Sequence, residues 1–161
     1  MSALLRLLFS VSLFGAFTAC AKKETPVATS APAAKHEHHP PHGGTSIVLG
    51  AEIYHLELVR DAATGKLSVY VLDGELEDFI RVAAPSLEIV ATVGGVKQTL
   101  TLQPIANSAT GEKIGDTALF EATTDWIKTT ENFDGVLTAL EIRGNKFTAV
   151  AFNFPKGNDK D

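Results

Sequence analysis

Sulfur is nearly missing from this chain of 161 residues, which has one cysteine, Cys20, and one methionine, Met1. A single cysteine excludes an intramolecular disulfide, so packing and hydrogen bonds must hold the fold together. It also excludes metal sites built from several soft thiolate or thioether ligands, such as those that select copper(I). An excess of basic charge is missing as well. The 14 Lys and Arg residues stand against 19 Asp and Glu, a net charge of −5. That balance lacks the basic face through which nucleic-acid binders work. There is no Gly-x-Ser-x-Gly elbow, no phosphate-cradling glycine loop and no His-Glu-x-x-His. The sequence therefore gives no basis for an enzyme or for an organic cofactor. No apolar run reaches the ~20 residues that a spanning helix needs.

What is present begins with an amino-terminal sorting pattern. Arg6 precedes a mostly apolar run over 7–17, followed by small residues and then Cys20, as in a secretory signal peptide. The end of that run, "FTAC", resembles the lipobox of bacterial lipoproteins, with Phe17 where Leu is more usual. The resemblance implies a signal peptide over 1–19 and lipidation of Cys20, which would hold the protein to a bilayer. Acyl chains contribute about 0.8 kcal/mol per buried CH₂, so several together make a stable anchor. Lys22 follows closely and no Asp stands next to the cysteine. By lipoprotein habit this implies the periplasmic side of the outer membrane.

Residues 20–44 read as a tether. Ala, Pro, Thr, Ser and Lys dominate 21–35, a composition with almost nothing to bury. Extended at about 3.1 Å per residue, the segment reaches ~70 Å. Its far end, "KHEHHPPHGG", carries His36, His38, His39 and His42, and the only other histidine, His55, follows soon after. Pro40 and Pro41 prevent a zincin-like helix. Closely repeated imidazoles reduce the entropy lost in gathering ligands around one ion. They suit Cu(II), Zn(II), Ni(II) or Co(II), with Cu(II) tightest in simple competition.

From Thr45 the texture changes to short alternating segments separated by turn residues. "IYHLELVR" and "KLSVYVLD" flank "DAATGK", a hairpin loop with Gly65 at a position of positive φ. "SLEIVATV" and "VKQTLTLQ" flank Gly94–Gly95, and "VLTALEIR" and "KFTAVAFNF" flank Gly144–Asn145. Shorter strands are predicted around Phe79 to Val82 and Ala118 to Glu121, and one helical turn at "TTDWIKTTENF", capped by Thr124. About eight to nine strands at regular spacing predict an all-β domain over 45–155. The expected form is an antiparallel immunoglobulin-like sandwich, with a small β-barrel as its rival. Residues 156–161 read as a disordered tail.

Alternation sets Leu56 and Leu58 on one face of their strand and His55, Glu57 and Val59 on the other. Leu67, Val69 and Val71, then Leu87, Ile89 and Ala91, and then Val136, Leu140 and Ile142 form further inward rows. The acidic loop "DGELED", with Asp73, Glu75, Glu77 and Asp78, lacks calcium-loop spacing and reads as a solvated turn. If the first two strands pair, His42 and His55 come within reach of one ion, with Glu57 as a further ligand or as an acceptor behind one.

"PHGGTSIVLGAEIYHLELV" followed by "GKLSVYVLDGE" resembles the opening β domain of periplasmic adaptor subunits of heavy-metal efflux pumps of the cobalt–zinc–cadmium type. The matching positions are His42, Gly43, Gly44, Glu57, Leu58, Tyr70, Asp73 and Gly74. The resemblance implies an all-β periplasmic module that handles divalent metal, and it makes His42 a ligand. The chain has no long helical hairpin and no room for the other adaptor domains. The expectation is a stand-alone, lipid-tethered relative that binds metal through His36, His38, His39, His42, His55 and Glu57. Its expected partners are the bilayer and a metal efflux complex or another envelope protein. The competing expectation is a metal-independent protein-interaction module.

Overall fold

The computed structural model describes residues 39–159. The predicted signal peptide, Cys20, His36 and His38 lie outside the described residues. Eight strands form: β1 (Thr45–Leu49), β2 (Tyr54–Asp61), β3 (Lys66–Asp73), β4 (Leu87–Val93), β5 (Val96–Pro104), β6 (Leu119–Thr123), β7 (Phe133–Ile142) and β8 (Asn145–Phe154). One short helix, α1 (Asp125–Thr129), interrupts them. The fold is all-β, as the alternating segments predict.

The strands make a single antiparallel sheet in the order β1-β2-β3-β6-β5-β4-β7-β8. The chain leaves β3, skips two strand positions, and returns through the β4-β5-β6 meander until β6 pairs with β3. This sheet curls until it nearly closes into a barrel, the second of the two expected architectures. The ends approach where the chain past β8 runs back along β1. There Val48 N–H donates to Asn158 Oδ1 at 2.8 Å, Asn158 Nδ2 donates to the Val48 carbonyl at 3.1 Å, and Thr45 Oγ1 donates to the Pro155 carbonyl. The expected tail is thus part of the fold as far as Asn158. Its amide satisfies backbone groups that an edge strand would otherwise leave open.

Inward rows from every strand meet in one apolar core, including Leu56, Leu58, Val69, Ile89, Phe120 and Leu137, all fully buried. Burying each such side chain stabilises the fold by roughly 1.5–3 kcal/mol. Ile127 of α1 joins the core, and Trp126 packs edge-on against Phe133 at 5.3 Å. Thr124 sits at the N-cap in extended geometry, but its side chain makes no capping hydrogen bond.

Three local expectations need correction. Phe79 and Val82 make only isolated bridges, to Leu72 and Thr117. The last hairpin turns on Arg143 (φ 48) and Gly144 (φ 85), while Asn145 already pairs with Ile142. That register sets the Phe152 ring over Gly135, where no Cβ obstructs it, and stacks Phe133 on Phe154 at 5.2 Å. A slip of the turn by one position would lose both contacts. Finally, Leu137 rather than Val136 is the buried residue in mid-β7. The β7–β8 ladder skips Thr138 and Ala149, and Ala149 has φ 52. Both strands change there which parity faces the core, as at the corner of a barrel.

Candidate functional site

On the outer surface of the sheet, register lines up Ser46, Glu57, Tyr70 and Leu119 across β1, β2, β3 and β6. Beside them run Val48, His55 and Leu72. A sheet face turned from the core is normally wet, yet Glu57 is 0% exposed and His55 1%. The irregular segment 40–44 lies against Glu57, and His55 reaches the Asp73 carbonyl at the end of β3.

Glu57 holds this segment in place. Its Oε1 accepts the His42 N–H at 2.8 Å and the Gly44 N–H at 2.9 Å, while Oε2 lies 2.8 Å from His42 Nδ1. These contacts meet the need of a buried carboxylate for donors, since an unpaired one would be costly. Backbone geometry permits the approach. Gly43 takes φ 67, and a Cβ on Gly44 would stand 2.5 Å from the Leu58 carbonyl oxygen and 2.8 Å from Glu57 Cγ. The two glycines of "HGG" therefore let the chain lie flat on β2.

His42 is positioned on three sides. Its ring stacks on Tyr70 with centroids 4.0 Å apart and planes 13° from parallel, and Phe79 tilts against both rings at 5.8 and 5.9 Å. A carboxylate oxygen can only accept, so Nδ1 carries the hydrogen and the Nε2 lone pair is left available. The His42 side chain is 37% exposed. It lines a cleft of about 440 Å³ with Phe79, Arg81, Asn107 and Glu112. On its other side it lines a second cleft of about 510 Å³ with Arg60, Glu131 and Pro155.

Burial, together with the negative charges of Glu121 and Glu57, raises the Tyr70 phenol above its ordinary value. Across the cleft, burial would raise the Glu112 carboxyl, but other contacts outweigh it. Hydrogen bonds from Thr110, the Ala118 N–H and Thr117, with the charge of Arg81, hold it below the ordinary glutamate value. Each cleft thus carries one acidic and one basic side chain, Glu112 with Arg81 and Glu131 with Arg60.

The expected ligand set is split by the fold. His42 and Glu57 come together, but both carboxylate oxygens are already engaged by the 40–44 segment, which puts Glu57 behind His42 as an acceptor. His55 lies on the same sheet face, buried, with its Nδ1 3.1 Å from the Asp73 carbonyl at the end of β3. His39 is exposed at the start of the described chain. Among the described residues no three His, Cys, Asp or Glu side chains gather as a ready metal cluster. The acidic loop is built around Asp73, whose Oδ1 accepts the Glu77 and Asp78 N–H groups, with Leu76 buried beneath. Sequence reasoning missed Phe79, read there as a strand residue; its only signal was an aromatic next to the acidic turn.

Comparison with protein-family models, curated proteins and solved structures returns no match. Among the described residues no helix is long and apolar enough to cross a membrane.

Proposed function

We propose that this protein is a lipid-tethered envelope protein that binds a divalent transition-metal ion, Cu(II), Zn(II), Ni(II) or Co(II), through Nε2 of His42. The observation that carries this reading is the hydrogen bond between His42 Nδ1 and the buried Glu57. A ligating imidazole commonly donates its other ring N–H to a carboxylate, which fixes the tautomer and raises its basicity. The stack on Tyr70 holds the ring plane, so Nε2 presents a fixed lone pair beside a cleft that Glu112 lines. One imidazole does not complete a coordination sphere. His36, His38 and His39, a few residues away along the chain, supply further donors, and water fills what remains. Cys20 would place this device at the bilayer, where it buffers metal or passes it to an efflux system.

In this reading Glu57 orients the ligand and His55 belongs to the sheet. Metal titration at neutral pH, followed by calorimetry, tests the division of roles. His42→Ala is expected to weaken binding by at least about tenfold, and Glu57→Gln by about 10–100-fold. His55→Gln leaves binding unchanged. Joint replacement of His36, His38 and His39 weakens binding without abolishing it. Full affinity in His42→Ala would overturn the assignment. Because imidazole must be unprotonated to ligate, affinity falls as the solution is acidified.

A further inference from the structure

The β7–β8 hairpin borders a groove of about 710 Å³ whose other wall is residues 81–86, and Arg81 lines both this groove and the His42 cleft. Three features of this groove point to one kind of occupant. The first is an open backbone edge. β4 pairs with β7 only from Thr92↔Asp134 to Ile89↔Leu137, whereas β7 continues to Ile142 with β8 on its other side. From Ala139 to Ile142 the β4-facing edge of β7 has no ladder partner in the register, and this is the edge that lines the groove. Unpaired strand edges are templates for an added strand.

The second is charge. In a chain of net charge −5, the groove is lined by Arg81, Arg143 and Lys146, with Glu141 as the one acidic residue among them. Arg81 is already engaged, donating to the Thr110 carbonyl at 2.5 Å and facing Asp116 at 3.5 Å, so the available positive charge is that of Arg143 and Lys146. Lys146 approaches Glu141 only to 3.7 Å with both side chains exposed, a contact that neutralises little of its field. The third is an apolar floor, formed by Val82, Leu140 and Phe147.

We propose that this groove binds an extended segment of a partner protein in which acidic and apolar residues alternate. The segment adds antiparallel or parallel to the free edge of β7 and turns its apolar side chains to the floor. Its carboxylates meet Arg143 and Lys146. Residues 81–86, at about 3.3 Å per residue, frame a slot of roughly 20 Å, enough for six residues of strand. A lipid acyl chain fits the groove less well, because it would cover the β7 edge without satisfying its N–H and C=O groups. The edge of β7 and the charges of Arg143 and Lys146 take no part in holding His42, while Arg81 lines both the groove and the His42 cleft.

The test uses the isotope-labelled protein and a capped hexapeptide alternating Glu and Val, followed by backbone amide shifts. Saturable shifts confined to 82–86 and 139–147 are expected, with affinity falling as salt rises. Arg143→Glu with Lys146→Glu, both on the exposed hairpin, should weaken binding by at least about tenfold. The same peptide N-methylated at alternate residues, unable to complete a ladder, should not bind. Unchanged binding in the charge-reversed variant, or equal binding of the methylated peptide, overturns the proposal. So does the absence of peptide shifts together with charge-dependent binding to phosphatidylglycerol vesicles, which would make the groove a lipid surface.

Discussion

Leu56 and Leu58 on one face of β2 and His55 and Glu57 on the other are all within 1% of complete burial. The inner pair is covered by other strands of the barrel, through apolar contact that has no preferred direction and many partners. On the outer face the segment 40–44 is held to Glu57 by directed hydrogen bonds, and His55 reaches the Asp73 carbonyl at the end of β3. The inner face should therefore lose stability gradually with lost volume, spread over the whole fold. The outer face should fail locally and in steps, releasing the segment that carries His42. Equal burial thus conceals two kinds of cover, one of apolar packing and one of directed polar contacts.

The comparison can be tested from either side. The largest effect is expected from Leu58→Ala, which opens a cavity in the core and should cost about 2–5 kcal/mol in urea unfolding. Its amide exchange should accelerate across the whole sheet. Glu57→Gln should cost less, about 1–3 kcal/mol, by weakening charge-assisted bonds to two backbone N–H groups and one imidazole. Its exchange should accelerate chiefly at His42 and Gly44. Global acceleration matching Leu58→Ala would mean the outer cover is not separable from the core.

The smallest effect concerns acid. Glu112 is held below its ordinary value, so it contributes stability that is fully present above the unfolded-state value of about 4.3. That contribution is lost as pH falls through the lower folded value. Glu112→Gln should accordingly flatten the acid limb of the stability curve below about pH 4.3 and leave neutral pH little changed. An unaltered acid limb would remove Glu112 from the account of the cleft.

Much of the fold follows from local pattern. Alternation in "YHLELVRD" and "KLSVYVLD" and the paired glycines at 94–95 produced strands and turns where expected. The hairpin at 143–144 did not follow its most turn-prone dipeptide, because ring packing of Phe152 over Gly135 set the register from the far end. The inward row of β7 changed parity for a related reason, a corner at Thr138 and Ala149 that no local pattern announces. In the candidate site, the proximity of His42 and Glu57 was expected, as was the placement of His55 off the inner face. The contacts of Phe79 with His42 and of His55 with the Asp73 carbonyl join separate segments, and period-two reasoning does not reach across them.

The sequence by itself determined most of the strands, the inner faces of β2, β3 and β4, and the histidine-rich approach to β1, since these rest on spacing within a few residues. Only the tertiary structure decided that the second face of β2 is also buried, and that Glu57 serves His42 while His55 serves the acidic turn. Burial of a face depends on what later and earlier segments lay over it. A carboxylate's role depends on which donors reach it first, and here the backbone of "HGG" takes Oε1 while the His42 ring takes Oε2.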